Sequence, residues 1–177
     1  LPGEPGRLKV TTASGDIDGD GGIDMLHVFG AHTFSIWDAQ GAMVIDSLND
    51  FERVQDMDYP GRYNMGQTNN NPDDCSDDRG PEPEALAIGL GRSRTCAFIG
   101  NERQSNIMIY DASNPRAVRF ASQGWNRNPT AGNQTAEAGD LGPEGMVFIP
   151  ANESPNGLPL LAVANQVSGA ATIWQEN

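Results

Sequence analysis

Two stretches of this chain repeat one another in a fixed register, and that repeat limits the folds open to it. Ala97-Phe98-Ile99-Gly100-Asn101 lies over Leu161-Ala162-Val163-Ala164-Asn165. The same register sets Ile109-Tyr110 over Ile173-Trp174. Pro83-Glu84 matches Pro143-Glu144 at the start of each unit, and Ile36-Trp37-Asp38 echoes Ile109-Tyr110-Asp111. Each unit is a series of short runs rich in β-branched and aromatic residues, bounded by Gly, Asp or Pro. Such runs form strands. Repeated units of about four strands fit the blades of a β-propeller. Helical folds are disfavoured, because Gly or Pro interrupts nearly every window that begins a 3.6-residue period.

The expected fold class is therefore all-β: a partial β-propeller of antiparallel four-stranded blades with long acidic loops. Residues 7–48 read as a divergent blade, with strands at 7–13, 25–30, 33–38 and 42–46. Residues 49–82 read as an acidic, turn-rich insertion that opens on a short helical turn at 50–56. Residues 83–123 form a blade, 124–142 a loop and 143–177 a further blade. A closed ring uses four or more blades. The expected partners are thus the remaining propeller blades or neighbouring copies of the chain. Open strand edges are expected near Leu8-Lys9-Val10 and Thr172-Ile173-Trp174. Leu1-Pro2-Gly3-Glu4-Pro5-Gly6 reads as the interior of a longer polypeptide.

The divergent unit carries the clearest chemical motif, Asp16-Ile17-Asp18-Gly19-Asp20-Gly21-Gly22-Ile23-Asp24. Calcium takes six to eight oxygens at about 2.3–2.6 Å. Asp16, Asp18, Asp20 and Asp24 offer carboxylates, and Gly22 offers its carbonyl. The twelfth position is His27 rather than the Glu of a helix–loop–helix site, and a strand-like run follows, so the loop belongs to a hairpin. Like charges this close repel unless a cation neutralises them. Ca2+ is the expected cofactor.

A second acidic concentration runs from Asp73 to Glu84. Asp77, Asp78, Glu84 and Glu144 are its candidate cation ligands. Glu84 and Glu144 recur just before the first strand of each unit. The alternative is a solvated loop partly balanced by Arg79. Cys75 and Cys96 are the only cysteines; they lack metal-site spacing and are candidates for a disulfide, with two thiols as the alternative. Asn133 and Asn152 stand in N-glycosylation acceptor patterns.

The formal charge of −13 excludes nucleic acid and anionic membrane as natural partners. No run of about 18 apolar residues is present, so no membrane span is expected. Acidity, the calcium loop and the cysteine pair favour an extracellular or cell-surface setting. No nucleophile elbow, zinc-helix motif or phosphate loop occurs. The leading functional reading is a calcium-binding surface segment with a structural or adhesive role. The alternative is a metal-dependent phosphoric-ester hydrolase, in which cations held by Glu84, Glu144 and the 73–78 loop activate water. A third reading uses Trp37, Trp125 or Trp174 as carbohydrate-stacking faces.

Several motifs occur in order: Gly15-Asp16-Ile17-Asp18-Gly19-Asp20, Phe34-Ser35-Ile36-Trp37-Asp38, Asp77-Asp78-Arg79-Gly80-Pro81-Glu82-Pro83-Glu84, Gly139-Asp140-Leu141-Gly142-Pro143-Glu144-Gly145 and Ser154-Pro155-Asn156-Gly157-Leu158-Pro159-Leu160. Together they resemble the C-terminal part of the choice-of-anchor I propellers. That family includes mesenchyme-specific cell-surface glycoproteins linked to biomineralisation, and similar domains occur in secreted atypical alkaline phosphatases. The resemblance implies a secreted or surface-anchored β-propeller.

Overall fold

Among the described residues, the strands fall into three antiparallel sheets. The computed structural model describes residues 8–30, 32–91, 93–132 and 135–175. A hairpin pairs β1 (Ser35–Trp37) with β2 (Met43–Asp46). A four-stranded meander follows in the order β3 (Pro83–Leu90), β4 (Thr95–Asn101), β5 (Asn106–Asp111), β6 (Arg119–Gly124). A three-stranded meander then runs β7 (Pro143–Ile149), β8 (Leu160–Asn165), β9 (Ala170–Gln175). The architecture is all-β, with few helices.

One helix, α1 (Asp50–Asp58), links the hairpin to the long insertion. Asp50 and Glu52 lie in its first turn, where carboxylates complement the helix dipole. Phe51, Val54 and Gln55 fall on one face and are buried. The helix ends just before Pro60, a residue that disfavours helical geometry in its predecessor.

The four-stranded sheet is apolar on both faces, and this places it centrally. Register pairing puts Ala97, Ile99, Met108 and Tyr110 on one face, packed against Phe51 and Val54 of α1. Phe34 meets Tyr110 edge-on at 4.7 Å. The opposite face carries Ala87, Cys96, Phe98 and Ile107, packed against Leu161 and Val163 of the three-stranded sheet. Burying each large side chain stabilises by about 1.5–3 kcal/mol. The layers therefore run helix, sheet, sheet.

Arg127 ties the insertion to this core. Its guanidinium donates to the carbonyls of Arg103, Gln104, Gly66 and Asn69 and to Asn70 Oδ1. Burial lowers its pKa to about 10.

The first unit differs from the expected four strands. Among the described residues of 8–30, only a single Val10–Val28 bridge forms. Ile17, Met25, Leu26, Val28 and Phe29 stay exposed. Among the described residues no sheet covers these apolar runs, and a strand without cross-strand packing gains little. Among the described residues the last unit has three strands, in the order β7-β8-β9, rather than the expected four.

Candidate functional site

The aspartate loop is shaped by its own backbone. Asp16 accepts N–H bonds from Gly19 at 2.7 Å and Gly21 at 3.0 Å. Asp24 Oδ2 accepts from the Ile17 N–H at 3.0 Å, and Asp18 Oδ1 from Asp20 at 3.2 Å. The N–H groups of Asp24 and Met25 both donate to the Gly15 carbonyl, which closes the loop. Gly15 has φ +104°, and a Cβ there would run into the Met25 carbonyl. Ligand oxygens of Asp16, Asp18 and Asp24 come within 4.8 Å of one another. Asp20 lies outside that cluster, its Oδ1 accepting from the Gly22 N–H at 2.7 Å.

A second cluster forms where the two larger sheets meet. The β3–β4 register slips between Pro83 and Ala85, and the β7–β8 register slips between Pro143 and Gly145. Glu84 and Glu144 are therefore the extra residue of a bulge in each sheet. A bulge re-aims its side chain away from the regular alternation. Oxygens of Glu84, Glu102 and Glu144 lie within 4.8 Å of one another.

Glu102 is the member that the sequence reading missed. It follows Asn101, the residue opposite Pro83, and its N–H donates to the Glu82 carbonyl at 2.7 Å. Its counterpart Gln166 donates to the Gly142 carbonyl at 2.7 Å, so the repeat carries the signal that could have found it. Burial, then the Glu82 and Glu84 carboxylates, push the Glu102 carboxyl up to about 7. Glu82 moves the other way. Burial opposes its ionisation, but hydrogen bonds from Glu102, Arg79 and Arg103 outweigh that and hold its pKa below the usual value. Arg79 reaches Glu82 at 2.8 Å and Arg103 at 2.5 Å. Gln67 bonds to Glu102. The site is thus a knot of carboxylates in which one holds its proton near neutral pH. A cation can take the place of that proton.

Asp77 and Asp78 stand elsewhere. Both pair with Lys9, at 3.6 and 3.3 Å. His32 Nδ1 lies 2.5 Å from Glu52, and His27 Nδ1 lies 2.7 Å from Ser14. Trp37 is exposed, Trp125 meets Tyr59 edge-on at 4.1 Å, and Trp174 packs at the sheet–sheet core.

The anticipated Cys75–Cys96 disulfide is not formed; both residues are buried thiols. Cys75 sits near Arg103, beyond the C-terminal end of β4, whereas Cys96 lies near that strand's start. A strand advances about 3.3 Å per residue, and a disulfide needs Cα atoms within about 7 Å. Asn152 is exposed in a turn, and Asn133 lies outside the described residues.

Comparison with known proteins places this arrangement in a family. Residues 2–115 match the choice-of-anchor I domain. The chain belongs to the choice-of-anchor I family. It is 28% identical over 181 residues to Gigasin-3a of Magallana gigas, an alignment covering 96% of the chain and 63% of that protein. The chain thus spans less than two thirds of the relative's length. No solved structure matches it significantly. A choice-of-anchor I domain implies a cell-surface or secreted setting. Among the described residues, no helix is long and apolar enough to cross a membrane.

Proposed function

We propose that this choice-of-anchor I domain is a calcium-binding segment of a β-propeller, with a structural or adhesive role at the cell surface or outside the cell. The observation that carries the reading is the convergence of Asp16, Asp18 and Asp24 within 4.8 Å, in a loop whose N–H groups already orient the carboxylates. Calcium would lock residues 15–25 into one shape and so order the segment that joins Val10 to Val28. The propeller reading draws on two stacked meanders that begin with the same Pro-Glu bulge.

The test is thermal unfolding with calcium and then with chelator, alongside elemental analysis. A ligand that binds only the native state stabilises it by about 2.7 kcal/mol at a hundredfold excess over Kd. The calcium form should melt several degrees higher, and Asp16→Asn with Asp24→Asn should abolish the difference. Identical curves and no retained metal would refute the reading.

The Glu84–Glu102–Glu144 cluster favours a second reading, a metal-dependent phosphoric-ester hydrolase. There the three carboxylates would hold cations, with Asp77 and Asp78 further out. Phosphatase turnover with divalent ions, lost in Glu84→Gln and Glu144→Gln, would support it over the structural role.

A further inference from the structure

Tyr110 is only 2% exposed, yet its hydroxyl has no hydrogen-bond partner. Its ring is held among Phe34, Phe51 and Phe120, with centroids 4.7, 6.3 and 5.8 Å away. The repeat sets Trp174 at the equivalent position, where an indole packs at the sheet–sheet core. A phenylalanine would fill the Tyr110 place without burying a hydroxyl. A buried polar group costs stability unless something pairs with it.

Tyr110 lines a cavity of about 220 Å³, together with Phe34, Ile45, Asp46, Asp50 and Val118. The charges of Asp50 and Arg53 act on its phenol, which places the hydroxyl toward the start of α1. One water takes about 30 Å³, so the space exceeds what a single bridging water fills. Asn49, the N-cap of α1, also lines the cavity and makes no side-chain bond to the first turn. The N–H groups of a first turn have no intrahelical acceptor. The inner end of the cavity therefore offers donors. Burial, then the Asp50 carboxylate, raise the pKa of the phenol, so it keeps its proton.

The outer part offers acceptors. Asp46 is half-buried, and the Asp50 side chain is 29% exposed. Two carboxylates repel an anion. A helix N-terminus repels a cation. An uncharged ligand that both accepts and donates satisfies the two ends together. Hydroxyl groups do both. Phe34, Ile45 and Val118 supply apolar wall for the C–H face of a ring. Pockets for drug-sized ligands run to about 300–1,000 Å³, so this smaller space suits one compact ring.

We infer that this cavity binds an uncharged sugar residue, with one sugar oxygen accepting from Tyr110 and neighbouring hydroxyls donating to Asp46 and Asp50. Tyr110 fixes the ligand from below, and the two aspartates select its hydroxyl pattern. The site is not one of the tryptophan faces that the sequence suggests. It shares no residue with either carboxylate cluster, so it stands independently of calcium binding.

Methyl NMR of the whole chain, labelled at Ile and Val, tests this at a fixed calcium concentration. The probes are the methyl glycosides of glucose, galactose, mannose and N-acetylglucosamine, with sodium acetate and tetramethylammonium as charged controls. At least one glycoside should move the Ile45 and Val118 signals saturably, and neither control should. Tyr110→Phe should keep the fold and weaken binding by about 3- to 10-fold, the loss of one neutral hydrogen bond. Val118→Phe should fill the cavity and abolish the Ile45 shift with unchanged circular dichroism. Binding should persist in chelator. Four results would each overturn the inference: no glycoside moves these methyls, leaving water as the occupant; a charged control moves them as strongly; Tyr110→Phe binds equally well; or chelator removes binding, which would put the sugar on a metal.

Discussion

Glu84 and Glu144 occupy the same bulge in two different sheets, far apart in sequence, and their carboxylates meet beside Glu102. Two exposed like charges held together oppose the sheet contact that brings them there. Removing one should therefore help in the absence of cation. In chelator, Glu84→Gln or Glu144→Gln should raise stability by about 0.5 kcal/mol, the scale of an exposed charge pair. Urea unfolding measures this, and a loss of stability would show that the carboxylates hold the bulges in place.

Glu102 makes stability depend on pH. Its carboxyl rises from 4.5 to about 7, so the folded chain holds a proton that the unfolded chain releases between those values. The stability this contributes is complete below pH 4.5 and is lost as pH climbs through 7. Glu82, held low by its neighbours, works in the opposite sense at more acid pH. Denaturation in chelator from about pH 4.5 to 7.5 should show a decline on the order of 1–3 kcal/mol. Glu102→Gln should flatten that limb. A Glu102→Gln profile parallel to that of the unsubstituted chain would assign the slope to other groups.

The strands of residues 83–124 and 143–175 were legible because each has a sequential neighbour to pair with, and the repeat aligned one unit with the other; the pairing register came from the structure. Residues 8–30 carry similar apolar runs, but a strand's existence depends on what covers it, and no sheet among the described residues covers Met25, Leu26 and Val28. In the candidate sites, the Asp16–Asp24 spacing is local and readable. Glu102 was not, because its part in the cluster comes from the strand opposite, where the Pro83–Ala85 bulge turns Glu84 toward it. Asp77 and Asp78 looked like ligands by density alone, while Lys9, from the far end of the sequence, is what they face.

Reductant should leave the protein unaffected. Burial first, then nearby carboxylates, push the Cys75 thiol up to about 11, so it carries almost no thiolate at neutral pH. Cys96 is enclosed between the two sheets. Melting curves with and without dithiothreitol should coincide. Alkylation should be slow in the native state and fast in denaturant, at two thiols per chain. A fall in melting temperature on reduction would require a bridge between the two cysteines.

The Gly89–Phe148 contact sets how closely the two larger sheets approach. Gly89 needs no special backbone angle, so an unhindered Gly→Ala change there would stabilise by about 0.4–1 kcal/mol through the unfolded chain. The Phe148 ring occupies the space a methyl would need. Gly89→Ala should therefore cost about 1–3 kcal/mol, the range for overpacking a filled core. Phe148→Leu alone should also destabilise, because it leaves part of the groove beside Phe98 and Trp174 empty. Combined, the two changes should lose less than the sum of the singles, with a coupling of at least about 0.5 kcal/mol. Urea unfolding of the four proteins in a double-mutant cycle measures that coupling. Additive losses would mean that the sheets shift apart to admit the methyl, and that Phe148 does not fix their spacing.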